Sequence, residues 1–137
     1  MTGRTAKIAS RCECGNTAVR QVNQFILDGE LWWDSEFSCG FCGTYLCEHA
    51  GPGRPAPDDV REALLTAHGP ARLRLAGPVP SLVPAAKVLR EVAATSLSRA
   101  LELAGELSQV GLVGTVSEME FLKVRLQLRG VHTDIDR

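Results

Sequence analysis

The hydrophobic and polar positions in the first third of the chain predict a β-hairpin. Residues 17–27 and 31–38 are two runs rich in β-forming residues, and such runs bounded by turn residues are typical of strands. Asp28-Gly29 lies between them and is a preferred two-residue hairpin turn, because both positions tolerate a positive φ. The flanking residues are predicted to form tight turns at 12–16 and 39–43 and a loose arm over 1–11.

The pattern changes after the hairpin. Residues 51–57 are rich in Gly and Pro, which is typical of a linker. An apolar stripe at helical spacing then predicts a short helix, which begins at Asp58 or Asp59 as an acidic cap and ends at Gly69-Pro70. The sequence leaves open which part of the chain this helix packs on, so residues 52–70 are assigned as a linker with a short helix.

Residues 71–137 form a second, aliphatic part. Strict alternation over 71–76 predicts a half-buried strand, and apolar spacing over 82–94 predicts a helix. The next helix is predicted to begin after Ser96 or Ser98, with four residues facing inward: Leu97, Ala100, Leu101 and Ala104. The last predicted elements are a strand at 112–116, a helix that opens with a capping box of Ser117 and Glu120 and stops at Gly130, and a strand at 131–136.

Composition and charge narrow the class of protein. The chain has 137 residues, 45% of them hydrophobic, which excludes a large multidomain enzyme and wholesale disorder. Its 15 basic and 16 acidic residues give a net charge of −1, which disfavours a strongly basic nucleic-acid binder. No apolar run is long enough to span a membrane, and the first ten residues lack the apolar core of a secretory signal. We therefore expect a cytoplasmic protein that does not associate with membranes.

The cysteines supply the strongest chemical signal. All 5 lie in the first 47 residues. Cys39-x-x-Cys42-Gly43 has the spacing at which two thiolates reach one metal, and Cys12-x-Cys14-Gly15 lies across the predicted hairpin. The pattern therefore predicts a structural zinc site with these four cysteines as ligands. An alternative site uses Cys14, Cys39 and Cys42 with either Cys47 or His49.

Residues 12–48 resemble the zinc-ribbon family in this arrangement of two cysteine turns joined by a hairpin. The resemblance implies structural zinc held by Cys12, Cys14, Cys39 and Cys42. The chain departs from the family pattern because only one residue separates the first pair. Two other interpretations stay open, namely a ribbon that has lost its metal and a set of redox-active thiols.

Catalytic motifs are scarce. The three histidines are scattered, and the chain has no Gly-rich phosphate loop, no G-x-S-x-G and no His-Glu-x-x-His. We therefore expect a protein that is not an enzyme.

Trp32-Trp33 is a candidate partner-binding feature. Consecutive strand residues face opposite ways, so at least one indole is expected to lie off the small core of the hairpin. That ring either packs elsewhere in the chain or acts as an anchor for a partner, together with an acidic face that includes Asp34 and Glu36.

Residues 71–136 resemble the C-terminal domain of the bacterial ribosomal stalk protein. The resemblance rests on Lys87-Val88-Leu89-Arg90 and on the later core positions Leu97, Ala100 and Leu103. It implies a β-α-α-β-α-β fold that contacts protein partners through Lys87 and Arg90. The alternative interpretation places these two cations on a solvated helix face.

Together these features predict an α+β protein, with a zinc-ribbon-like hairpin over 1–51 and a small two-layer sandwich over 71–137. The predicted function is protein–protein interaction by a small, non-enzymatic zinc protein. An immunity protein that neutralises a bacterial toxin is a concrete form of it, because the acidic face would mimic a polyanionic substrate, with Trp32 or Trp33 as the anchor. The alternative is a zinc-ribbon protein associated with the ribosome or with nucleic acid.

Overall fold

The computed structural model describes residues 2–52 and 54–137. The chain divides into two compact units, Met1–Gly69 and Pro70–Arg137. Within the described residues there are seven strands, in two antiparallel sheets, and four helices. The predicted α+β class is confirmed.

A four-stranded antiparallel sheet forms most of the first unit, in the order β1-β2-β3-β4. Its strands are β1 (Thr2–Arg11), β2 (Thr17–Leu27), β3 (Glu30–Ser38) and β4 (Tyr45–Ala50). The predicted hairpin lies at its centre, and both turn residues have a positive φ, 52° at Asp28 and 77° at Gly29.

The expected loose arm is wrong. β1 pairs with β2 over ten positions, from Thr2 opposite Ile26 to Arg11 opposite Thr17. This segment carries few apolar residues because one of its faces is exposed to solvent. Its conformation is fixed by pairing with β2 rather than by its own apolar content. β4 was missed as well, since all its residues but Ala50 are exposed and leave no periodic signal.

Helix α1 (Asp58–His68) covers one face of this sheet. Its fully buried Val60 and Leu64 form a core with Ala6, Val22 and Trp33 of the sheet. The helix therefore belongs to the first unit. Its N-cap is Pro57 rather than an aspartate. The two aspartates lie in the first turn, where their negative charge interacts favourably with the positive end of the helix dipole.

The second unit has the predicted order of elements. It contains β5 (Ala71–Leu75), α2 (Val83–Ala93), α3 (Leu97–Ser108), β6 (Leu112–Gly114), α4 (Val116–Gln127) and β7 (Thr133–Asp136). The sheet is antiparallel in the order β6-β5-β7, and aliphatic side chains from its strands and all three helices form one core.

Two local predictions in this unit are wrong. The capping box of α4 is made by Thr115 and Glu118: Thr115 Oγ1 accepts from the Glu118 amide at 3.1 Å, and Glu118 Oε1 accepts from the Thr115 amide at 2.9 Å. Ser117 lies inside the helix and is buried. In α3, Leu97 and Leu101 are about half exposed, because the small side chains of Ala100 and Ala104 occupy the buried face.

Across the described residues, no helix is long and apolar enough to cross a membrane.

Candidate metal centre

The first cysteine turn connects β1 to β2. The Gly15 amide donates to the Cys12 carbonyl at 2.9 Å, and the Cys12 amide donates to the Asn16 carbonyl at 2.9 Å. Gly15 has a φ of 92°, a backbone conformation that residues other than glycine rarely adopt. The glycine after Cys14 thus lets the backbone reverse within five residues.

The second cysteine turn connects β3 to β4 and is closed in a similar way. The Gly43 amide donates to the Cys39 carbonyl at 3.0 Å, and the Cys39 amide donates to the Thr44 carbonyl at 2.9 Å. Gly43 has a φ of 77°. Because β2 and β3 are antiparallel, with Val19 opposite Ser38, the start of β2 and the end of β3 meet at one end of the sheet. The two turns are therefore neighbours.

This arrangement brings four sulfur atoms together. The Sγ atoms of Cys12, Cys14, Cys39 and Cys42 all lie within 4.8 Å of one another. Two close contacts join one turn to the other: Cys12 to Cys42 at 3.5 Å and Cys14 to Cys39 at 3.7 Å. These sulfurs are too far apart for disulfides, and all four are free thiols.

The spacing of the sulfurs fits a tetrahedral zinc ion. A Zn–S bond of about 2.3 Å gives a tetrahedron whose sulfur atoms are about 3.8 Å apart. The contacts of 3.5 and 3.7 Å are close to that edge. In the part of the chain that the structure describes, no other group of three or more histidine, cysteine or acidic side chains has such geometry.

Solvent reaches only one side of the cluster. Cys12 and Cys39 are 5% and 4% exposed and pack with Ala18 and Phe37. Cys14 and Cys42 are exposed. The centre thus consists of two buried cysteines and two cysteines at the surface.

Hydrogen bonds stabilise the thiolate form of the two exposed cysteines. The Thr44 hydroxyl, 3.0 Å from Cys42 Sγ, and the Thr44 amide lower the pKa of Cys42 from 9.0 to about 6. The Asn16 amide and the Asn16 side chain, whose Nδ2 donates to Cys14 Sγ at 3.5 Å, lower the pKa of Cys14. Each turn therefore follows its second cysteine with a glycine and then a residue that donates to sulfur.

Cys12 behaves differently. The Cys14 amide lowers its pKa, but burial and hydrogen bonds to the other three thiols outweigh that effect and raise the pKa to about 11. Four thiolates at this spacing repel one another, and a divalent cation removes that repulsion. The donor set therefore suits a soft divalent cation such as zinc, bound by four protein ligands with no position left for water.

The alternative ligands Cys47 and His49 lie elsewhere. Both are on β4, with Cys47 opposite Glu36 and His49 opposite Asp34, and neither belongs to the sulfur cluster. Cys47 is hydrogen-bonded to Tyr45 and raises the pKa of that phenol to about 12. The structure thus brings together the four-cysteine set rather than the alternative one.

Sequence reasoning missed Asn16 and Thr44. The signal for them was present, because Cys14-Gly15-Asn16 and Cys42-Gly43-Thr44 share the pattern of cysteine, glycine and a polar residue. The shared pattern becomes informative once the two turns are seen to be structurally similar.

The candidate partner-binding residues are spread over several surfaces. Trp33 is 8% exposed and packs under α1. Trp32 is half-buried on the opposite face, where a Cβ added to Gly51 would lie 3.4 Å from its ring. Asp34 accepts a hydrogen bond from Asn23, and Glu36 is exposed. In the second unit, Lys87 and Arg90 are exposed on α2.

Comparisons with known proteins do not add an assignment, because no protein-family model, no curated protein and no solved structure matches the chain.

Proposed function

We propose that this chain is a non-enzymatic zinc protein in which zinc, held by Cys12, Cys14, Cys39 and Cys42, stabilises the first unit. One observation carries the proposal: the four sulfurs converge within 4.8 Å from two turns. A metal bound there is structural, since four thiolates leave no open position for a water or substrate.

The need for a metal follows from the packing at this end of the sheet. The buried cluster around the turns consists of Cys12, Ala18 and Cys39, with Phe37 against it. Two of its three buried members are themselves ligands, so little apolar surface remains to hold the turns together. Metal bonds replace the missing core, as they do in other small domains.

Metal content and cobalt substitution test the zinc site. We expect one zinc per purified chain and, after exchange with Co²⁺, the strong visible absorption of a tetrahedral tetrathiolate. Cys39→Ser should abolish both, whereas Cys47→Ser should keep both, because Cys47 is a free cysteine outside the cluster. Substoichiometric zinc in the wild-type protein, or full zinc in Cys39→Ser, would contradict the proposal.

The partner we propose is a protein with a cationic surface, and an enzyme that acts on a polyanion is the concrete form. The support comes from β3, where Trp33 and Ser35 point to the face under α1. Strand alternation therefore places Trp32, Asp34 and Glu36 on the opposite face. An indole beside two carboxylates is suited to bind a cationic protein surface.

Charge reversal tests this surface. Glu36→Lys should lower the amount of partner captured from cells, and higher salt should weaken the wild-type interaction. Glu62→Lys is the matched control, because Glu62 is also exposed but lies on α1, which covers the other face. Equal capture by the two variants would overturn this surface, and retention of RNA or DNA instead of protein would favour the nucleic-acid alternative.

A further inference from the structure

Exposure and distance divide the four cysteines into two similar pairs. In each close contact between the turns, one cysteine is exposed and the other is buried: the Sγ of exposed Cys42 lies 3.5 Å from that of buried Cys12, and the Sγ of exposed Cys14 lies 3.7 Å from that of buried Cys39. An oxidant in solution therefore reaches Cys14 and Cys42 first. Each of them has a buried cysteine beside it.

We propose that Cys14 and Cys42 are sites of oxidation by hydrogen peroxide, with Cys39 and Cys12 as their respective resolving partners, so that oxidation yields two disulfides between the turns. The release of zinc that accompanies this reaction rests on the proposed function. The pairing of the cysteines rests only on the sulfur geometry.

The chemistry balances with peroxide as the sole oxidant. The exposed thiolate attacks peroxide, forming an S–O bond and breaking the O–O bond, and gives a sulfenic acid and hydroxide. The buried thiolate then attacks the sulfenic sulfur, forming the S–S bond and expelling a second hydroxide. Each disulfide thus reduces one peroxide by two electrons. Two disulfides leave no thiolate to hold the metal.

The two disulfides can form with only a small movement of the sulfur atoms. A disulfide is about 2.05 Å long, so each pair must close by about 1.5 Å. Because both disulfides connect the first turn to the second, they keep this end of the sheet tied after the metal has left. Oxidation is then reversible, since reduction returns four thiols that are still close together.

Cys47 provides an internal comparison. It is also an exposed, free cysteine, yet it is hydrogen-bonded to Tyr45 and lies outside the sulfur cluster. It therefore has no resolving cysteine beside it. Peroxide at stoichiometric concentration should leave it as a thiol or a sulfenic acid.

Peroxide titration of the full chain tests the proposal. The zinc content of the protein is measured before any oxidant is added. Zinc release is then followed with a colorimetric chelator. Disulfides are mapped by mass spectrometry after acid quenching and alkylation. We expect two peroxides consumed per zinc released, Cys12–Cys42 and Cys14–Cys39 disulfides, and recovery with dithiothreitol and zinc. Cys47→Ser should behave like the wild type, and Cys12→Ser should accumulate a sulfenic acid at Cys42 that dimedone labels.

Three results would overturn the pairing: disulfides within one turn, disulfides that involve Cys47, or Cys14 and Cys42 that are still thiols after a stoichiometric excess of peroxide. Failure of the zinc site is distinguishable, because it appears as missing metal before any oxidant is added. The disulfide map of such a metal-free protein still decides whether the pairs form as proposed.

Discussion

Cys12 Sγ lies 3.5 Å from Cys42 Sγ, although the two residues are 30 positions apart in the chain. Between them run β2, the hairpin turn and β3. A metal at this point therefore closes the long hairpin at its open end, where the strands would otherwise fray. The other core of the unit, under α1, contains Val22 and Trp33 and no cysteine.

Metal removal should loosen one end of the first unit and leave the other intact. Val22 is four residues along β2 from Ala18 of the cysteine cluster, a distance of about 14 Å at about 3.4 Å per residue. We expect chelation to raise amide hydrogen exchange at 12–19 and 37–44, with much smaller changes near Val22 and Val60. Hydrogen exchange followed by mass spectrometry measures this difference directly.

The second unit is the control for that experiment, because its core has no cysteine. Its exchange should not change on chelation. Uniform loss of protection throughout the first unit would show instead that the helix-covered core depends on the metal.

Gly43→Ala should weaken metal binding, while Gly40→Ala should not. The two glycines lie in the same turn, and neither has an atom within 4 Å of an added Cβ. Only Gly43 has a positive φ, 77°, which costs about 1 kcal/mol or more for alanine. Because this conformation aims the Thr44 amide at Cys42, we expect faster zinc transfer to a competing chelator. Equal transfer rates in the two variants would show that the backbone conformation of Gly43 is unimportant.

The sequence predicted this centre better than it predicted the sheet around it. Cysteine spacing and the Asp28-Gly29 turn are local signals, and both are confirmed in position. β1 and β4 depend on pairing with distant strands, which leaves no periodic trace in exposed segments. The capping box was predicted at Ser117 but is formed by Thr115. Serine and threonine are both competent caps, and only the tertiary position of the helix decides between them.

Reactivity of Cys42 in the metal-free protein should depend on Thr44. The lowered pKa of Cys42, about 6 against 9.0, means that the folded form retains the thiolate where an unfolded chain is protonated. This difference in pKa stabilises the folded state relative to the unfolded chain. The stabilisation is complete above pH 9.0 and is lost as the pH falls through about 6. Thr44→Val removes the hydroxyl, keeps the shape of the side chain and should raise the alkylation midpoint of Cys42.

The measurement is the rate of iodoacetamide modification at Cys42 against pH, resolved by peptide mass spectrometry. Ser38→Ala is the control, since Ser38 is another exposed hydroxyl residue near this end of the sheet. A midpoint that is the same in Thr44→Val and in the wild type would show that the hydroxyl does not stabilise the thiolate.

Arg20→Gln should destabilise the first unit more than Arg99→Gln destabilises the second. The Arg20 guanidinium bridges Glu48 of β4 at 2.6 Å and Asp59 of α1 at 2.5 Å, and its side chain is only 18% exposed. Arg99 makes an exposed pair with Glu102 within one helix. We expect Arg20→Gln to lower the free energy of unfolding by about 1 kcal/mol and Arg99→Gln to lower it by less, because exposed ion pairs contribute little to stability. Denaturant unfolding at low and high salt measures both, and the Arg20 effect should shrink with salt.

Gly111→Ala should destabilise the second unit more than Gly130→Ala does. Both glycines have a positive φ, 91° and 77°, so an alanine is strained at each. At Gly130 nothing lies within 4 Å of an added Cβ, but at Gly111 it would be 2.8 Å from the Leu73 carbonyl and from Arg72 Cγ. The carbonyl belongs to β5, the central strand of the sheet, and cannot move without disturbing the pairing with β6 and β7. We expect about 1–2 kcal/mol at Gly130 from backbone strain alone and about 3 kcal/mol or more at Gly111. Thermal unfolding of the two variants measures the difference, and equal losses would mean that the turn after α3 relaxes away from β5.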